Sequence, residues 1–455
     1  MKKLSFQDAS FLRLESPERP FHVAGLMVFK LPDDASSGFL RRLAKRCGRL
    51  NELWPVFNRK LADPESLRNP GWVTADDYDP DYHVFHYALP APGRQQDLLK
   101  IASRVHERML DRHRPLWEVH VIEGLQGNRF ALYCKVHHAL VDGVGALRMV
   151  NALFSGSPGG RIDFQRAAEK ARREEPHLSL VQQLDSVGRE VRRHYRALPQ
   201  LSSMLAAMGR DAMHPEEDLP PLPFTAPRTL FNTEVDSRRE IVLAELPLGP
   251  VRRLAHRHDS TINDVLVSIC GGALRKYLKD HAALPRQTLE AGVPVSLKRP
   301  DDEGGNQVGF ILCPFFTDEP NPLRRLKRVA HVTREAKERM RNVSRTAAQD
   351  FTNALMLPTI LLTLTGNATK VNPALNAIVS NVPGPAKPMY LEGARLERIF
   401  PLSVVTDGMG INITVISYDG RLCIAITSCP TEQPDISGLG KLIRDSYREL
   451  ANAAG

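Results

Sequence analysis

The chain has 455 residues, 42% of them apolar, with 61 basic against 52 acidic residues and a formal net charge of +9. That length exceeds what a single core usually carries, so two domains are expected, and the composition excludes a disordered or fibrous chain. No run of about twenty apolar residues is present to span a bilayer, and the first residues, Met1-Lys-Lys-Leu-Ser-Phe-Gln-Asp8, lack the apolar segment of a signal peptide. The six cysteines (Cys47, Cys134, Cys270, Cys313, Cys423 and Cys429) form no C-x-x-C pair and mostly lie inside apolar runs. They read as reduced core residues of a cytosolic protein. A basic balance suits anionic partners such as nucleic acid, acidic lipid or a phosphate-bearing substrate.

In chain order, residues 22–30 read as a strand after a turn-rich Ser16-Pro-Glu-Arg-Pro20, and 38–50 as a helix with a basic outer face. Residues 51–95 read as loops with short strands, and 99–111 as an amphipathic helix. Pro115-Leu-Trp117 leads into an alternating strand at 118–123, and a turn at Asn128 joins it to a second strand at 130–136. Ser155-Gly-Ser-Pro-Gly-Gly160 is a break. Beyond it, Val181, Leu184, Val187, Val191, Tyr195 and Leu198 form one helical stripe, with Arg189, Arg192, Arg193 and Arg196 off it. This basic helix reads either as a surface helix packed on one domain or as an interfacial helix on anionic lipid. The prolines of 215–227 mark an extended crossover.

The second half reads as strands at 239–246, 289–297, 308–316, 377–382, 400–405, 411–418 and 422–427. Helices are expected at 248–258, from a Ser260 or Thr261 cap to Tyr277, at 322–341 and at 435–451. Residues 351–369 carry no charge and contain Pro358. They read as a kinked buried helix or, more sharply, as a membrane-dipping or tunnel-lining segment. Domains are expected at 1–160 and 236–455, joined by a helical and proline-rich linker at 161–235.

The chemistry concentrates at His137-His138-Ala-Leu-Val-Asp142-Gly143, where a strand ends and a turn begins. Side chains alternate along a strand, so His138 shares a face with Val136, Cys134 and Leu132, while His137 points the other way with Lys135 and Tyr133. Neutral imidazole accepts a proton near neutral pH, which makes His138 a candidate general base. Asp142 reads either as the acceptor of a ring N–H or as a loop anchor paired with an arginine, and Gly143 permits backbone conformations that other residues resist. Opposite facing argues against both histidines converging on one metal ion. Cys134 shares the His138 face but lies roughly 13 Å away along the strand, too far to be activated as a nucleophile.

His137-His138-x-x-x-Asp142-Gly143 resembles the active-site motif of CoA-dependent acyltransferases related to chloramphenicol acetyltransferase and to peptide-synthetase condensation domains. Further stretches narrow the resemblance: Leu4-Ser-Phe-Gln-Asp-Ala-Ser-Phe11 with Leu14-Glu-Ser-Pro17, Pro115-Leu-Trp-Glu118, Asn263-Asp264, Pro294-Val-Ser-Leu297 and Ser380-Asn-Val-Pro-Gly-Pro385. Together they resemble the bacterial wax ester synthase/diacylglycerol acyltransferase family, from near residue 4 to about residue 450. The resemblance implies an α/β fold of two chloramphenicol-acetyltransferase-like sandwich domains with the active-site channel between them. It implies acyl-CoA as donor and a long-chain alcohol or diacylglycerol as acceptor, with no cofactor and no metal.

It further implies that His138 is the base, that His137 supports the site and that Asp142 shapes the loop. Asn263 and Gly143 become the candidate substrate-binding positions, Asn263 as an oxyanion donor or positioning residue. The plainer reading of Asn263-Asp264 is helix capping. The basic balance is then met by the phosphates of CoA and by lipid, with Lys298-Arg299 and the arginines at 189–196 as candidates and without nucleic acid. The expected place of work is the cytoplasm, with peripheral contact to the inner membrane or to lipid inclusions. Two other classes share the motif's fold: a condensation-type enzyme using carrier-protein thioesters, and a non-catalytic lipid-inclusion protein.

Overall fold

The computed structural model describes residues 2–4, 6–68, 70–141, 145, 149–150, 152–160, 199–210, 218–296, 308–431 and 434–455. Asp142, Gly143, the basic helix of 181–198 and Lys298-Arg299 lie outside them. Strands and helices are numbered in chain order. A short sheet joins β1 (Lys2–Lys3), β3 (Arg59–Leu61) and β4 (Gly71–Thr74).

Two six-stranded sheets dominate the fold. The first contains β2 (His22–Lys30), β5 (Val84–Ala88), β6 (Trp117–Leu125), β7 (Arg129–His137), β12 (Tyr390–Leu391) and β13 (Ala394–Leu402), in the order β12-β13-β2-β7-β6-β5. The second contains β8 (Glu240–Pro247), β9 (Glu290–Ser296), β10 (Val308–Pro314), β11 (Ala377–Val382), β14 (Ile411–Tyr418) and β15 (Arg421–Ser428), in the order β10-β9-β11-β14-β15-β8. Strand position explains residue pattern. The central β14 and β15 are buried on both faces and carry near-continuous apolar runs, whereas the edge strand β8 alternates.

Helices α1 (Phe6–Leu14), α2 (Phe39–Cys47), α3 (Leu50–Leu53) and α4 (Gln95–His106) belong to the first half. Helices α5 (Leu248–Arg257), α6 (Ile262–Asp280), α7 (Pro322–Arg341), α8 (Arg345–Leu364) and α9 (Leu439–Ala453) belong to the second. Most expected elements fall within a few residues of these bounds, because their apolar periodicity is strong. The strand expected at 400–405 instead runs from Ala394 to Leu402 and crosses into the first sheet. It pairs antiparallel with β2, Lys30 opposite Arg395 and Ala24 opposite Leu402. The second sheet also reaches the first core through Ile416, Tyr418, Cys423 and Ala425. The Tyr418 hydroxyl donates to the Leu396 carbonyl at 2.8 Å and accepts from the Met389 N–H at 2.9 Å, fastening the crossing segment.

The charge-free segment is a helix with Pro358 inside it, but it is not buried throughout. Phe351 and Leu355 enter the second core, while Leu357, Leu361 and Leu364 face outward at 41%, 52% and 49% exposure.

Candidate active site at the end of β7

β7 reads Arg-Phe-Ala-Leu-Tyr-Cys-Lys-Val-His and ends on His137, with His138 the first residue of the turn. Strand alternation sorts the side chains as expected. Tyr133, Lys135 and His137 are fully buried on one face; Cys134, Val136 and His138 are only half-buried on the other. Burial pushes the Cys134 thiol up, so its thiolate is scarce as well as distant from His138.

His137 is hydrogen-bonded at one ring nitrogen and faces a carboxylate with the other. Its Nδ1 accepts the Ala139 backbone N–H at 3.0 Å, and its Nε2 faces Glu15 Oε1 at 3.4 Å. An accepting Nδ1 places the ring proton on Nε2, pointed at the carboxylate. Glu15, which follows α1, also accepts the Phe21 N–H at 3.1 Å and the Arg112 guanidinium at 3.2 Å from Nε and 3.1 Å from Nη2. Arg112 Nη2 reaches on to the Leu12 carbonyl at 3.0 Å. Burial raises the Glu15 carboxyl, but the His137 hydrogen bond and charge, the Phe21 N–H and Arg112 outweigh it and hold the group below its ordinary range. Arg112, Glu15 and His137 therefore form one chain, hydrogen-bonded between Arg112 and Glu15 and in contact at 3.4 Å between Glu15 and His137.

His138 has a different setting. Its backbone N–H donates to the Phe21 carbonyl at 2.9 Å, and its ring lies 4.6 Å from the Phe11 ring. Phe11 in turn stacks on Phe21 at 5.7 Å. An imidazole that is half-exposed and walled by aromatics can meet an apolar reactant.

Beneath this pair lies a polar floor. His22 stands opposite His137 in the β2–β7 register, and its Nε2 donates to the His106 carbonyl at 3.0 Å. The Tyr133 hydroxyl donates to His106 Nδ1 at 2.6 Å, leaving His106 Nε2 for the Ser403 carbonyl at 3.3 Å. Burial pushes His22 well below its ordinary value and His106 down to about 3, so both are neutral scaffold. Lys135, lowered by burial, donates to the Val105 and Arg108 carbonyls and closes the end of α4.

The remaining expected residues lie on other elements of the fold. Asn263 sits in the first turn of α6, and its Oδ1 is buried without a partner among the described residues. Its neighbour Asp264 completes a capping box with Thr261 and accepts the Thr333 hydroxyl at 2.7 Å, the plainer reading of that pair. Thr261, rather than Ser260, is the cap. In Pro115-Leu-Trp117 the indole N–H donates to the Phe57 carbonyl and His83 stacks on the ring at 4.5 Å, so the motif is scaffold. Gly384 of Ser380-Asn-Val-Pro-Gly-Pro385 approaches the Ser417 carbonyl so closely that a Cβ would stand 2.2 Å from it.

Glu15 and Arg112 were given no role in the sequence reading. The available signal was an acid just after the apolar Phe11-x-x-Leu14 end of α1, where an unpaired charge would be costly.

Comparison with known proteins agrees with this geometry. The profile of the wax ester synthase/diacylglycerol acyltransferase catalytic domain matches residues 4–266, and that of the WS/DGAT C-terminal domain matches 304–451. A putative diacylglycerol O-acyltransferase of Mycobacterium tuberculosis is 37% identical, over 98% of this chain and 99% of its own length. The O-acyltransferase WSD of Acinetobacter baylyi is 33% identical, over 96% and 94%. A solved wax ester synthase/diacylglycerol acyltransferase from Marinobacter aquaeolei VT8 superposes with a TM-score of 0.78 at 31% identity, covering 100% of both chains. The starter condensation domain of rhizomide synthetase, at 12% identity and a TM-score of 0.58, shares the fold. By its profile matches and by relatives aligned along almost its whole length, this chain belongs to the wax ester synthase/diacylglycerol acyltransferase family.

Proposed function

We propose that this O-acyltransferase moves a long-chain acyl group from acyl-CoA to the hydroxyl of a fatty alcohol or a diacylglycerol, with His138 as general base. The observation that carries the assignment is the contrast within the histidine pair. His137 is fully buried and committed to Glu15 and Ala139, whereas His138 is half-buried against Phe11. The acceptor oxygen attacks the thioester carbon as His138 removes its proton. The tetrahedral oxyanion is met by fixed N–H donors, with Asn263 as a candidate. The C–S bond then breaks, and the CoA sulfur takes the proton from the imidazolium. Acyl-CoA is a substrate, and the scheme draws on no cofactor.

The same reading places the protein inside the cell at a membrane or lipid-inclusion surface, since both the acceptor and the product are lipids. Among the described residues no helix is long and apolar enough to cross a membrane. The test mixes acyl-CoA with fatty alcohol or diacylglycerol and follows thiol release together with chromatographic analysis of the ester. His138→Ala should lower turnover by about 10²–10⁴-fold while the fold persists. Full activity in that variant removes His138 as the base, and an acyl-enzyme accumulating with acyl-CoA alone replaces direct transfer.

A further inference from the structure

We infer that the outer face of α8 is the element that seats this protein on an anionic lipid surface, an inference that rests on the lipid-acceptor reading above. Leu357, Leu361 and Leu364 recur at helical spacing on one face, and Val371 follows at 38% exposure. A contiguous apolar surface of this kind on a soluble-looking helix marks an interaction site. Three features select lipid as the occupant.

The first is the treatment of polar groups. No charged residue occurs from 351 to 369. Two hydroxyls there turn back into the helix: Thr363 Oγ1 donates to the Thr359 carbonyl and Thr365 Oγ1 to the Leu361 carbonyl, each at 2.9 Å. A segment without charge, in which hydroxyls bond back to their own helix, loses less on leaving water than a charged one, which suits a hydrocarbon boundary. The second is charge. Lys370 is exposed next to Val371, and the exposed Arg228 donates to the Val371 carbonyl at 2.9 Å. Cations at the edge of an apolar stripe match anionic headgroups, and Glu234, which accepts from Thr369, is a single acid beside them.

The third is the route to the chemistry. Ile360, on the inner side of the same helix, packs on the cluster of Leu14, Phe21, Val404 and Phe11, and the Phe11 ring lies against His138. An acceptor leaving the lipid beside α8 therefore meets the wall of the base within the thickness of one helix.

The experiment uses the full-length protein and vesicles of phosphatidylglycerol and phosphatidylcholine, without substrate. Wild-type protein should co-sediment with them, and the combined Leu357→Gln, Leu361→Gln and Leu364→Gln variant should partition at least about tenfold more weakly. Because these side chains are exposed, the variant's melting temperature should match wild type. Its transfer to a water-soluble short alcohol should be unchanged, while transfer to vesicle-borne diacylglycerol falls. Wild-type protein that ignores the vesicles, or a variant that binds them equally well, overturns the inference. So does a lipid-free dimer that the substitutions dissolve, since the stripe would then be the seat of a second copy. The sedimentation step involves no turnover, so it stands even if acyl transfer itself fails.

Discussion

The two six-stranded sheets are alike in size and differ in what fills them. The middle of the second sheet is hydrocarbon: Ile413, Val415, Leu422, Ile424 and Ile426 are each at most 1% exposed. Around the first sheet the buried space holds His22, His106, Lys135, His137 and Glu15, each making at least one hydrogen bond, with His22 Nδ1 and His137 Nε2 left without one among the described residues. Polar burial is costly unless each group is satisfied. The first sheet therefore gives up apolar packing for fixed orientation, and it is the sheet whose strand end carries the candidate base. The second acts as a wall and a strand donor.

Their buried acids differ in the same sense. Glu15 is held below its ordinary range by partners, whereas Glu290, at the start of β9, has the Thr225 hydroxyl at 2.9 Å on one oxygen and no partner on the other among the described residues. Burial, only partly opposed by Thr225, pushes the Glu290 carboxyl up to about 8.

Three substitutions would sharpen or break this contrast. The largest effect is expected at Glu15. Glu15→Ala leaves Arg112 and His137 without their shared carboxylate, and removal of one partner of a buried ion pair typically costs about 3–5 kcal/mol. Denaturant unfolding should show that loss together with a fall in turnover at temperatures where the variant remains folded. A cost under about 1 kcal/mol would mean that Ala139 alone positions His137.

Next is Ile424→Ala in β15, expected to cost about 2–5 kcal/mol through the cavity it leaves. Activity per folded molecule should be preserved, because the residue belongs to the wall. A selective loss of turnover would show that the second sheet shapes the chemistry directly.

The third effect is pH-dependent. The folded state binds the Glu290 proton more tightly than the unfolded state, so this group's contribution is complete below the ordinary value of 4.5 and is lost as pH rises toward 8. Glu15 has the opposite sign: its contribution is present at neutral pH and is lost as pH falls through its lowered folded value. Thermal melts of Glu290→Gln should lose the decline on the alkaline side and keep the one on the acid side. An unchanged alkaline limb would place its origin elsewhere.

Local pattern made much of this legible. The strand bounds of β2, β11 and β14 follow directly from apolar runs and turns, and alternation alone put the two histidines on opposite faces, one fully buried and one half-buried. What local pattern does not carry is pairing at a distance. Nothing in residues 394–402 announces β2 as their partner, and nothing near Glu15 announces Arg112 or His137, because these contacts are made by the fold and not by neighbours in sequence. Residues 351–369 show a related limit: lack of charge reports avoidance of water without saying whether protein or lipid provides the cover.

The pairing of β13 with β2 also sets a timetable for the nascent chain. Until residue 402 has left the ribosome, the side of β2 away from β7 has no partner, and a strand rich in Val, Leu, Met and Phe presents an open edge. A fragment ending at the crossover would carry both histidines and the Glu15 network yet expose that edge permanently. It would aggregate rather than fold as a small enzyme, so the catalytic half is not a transplantable module.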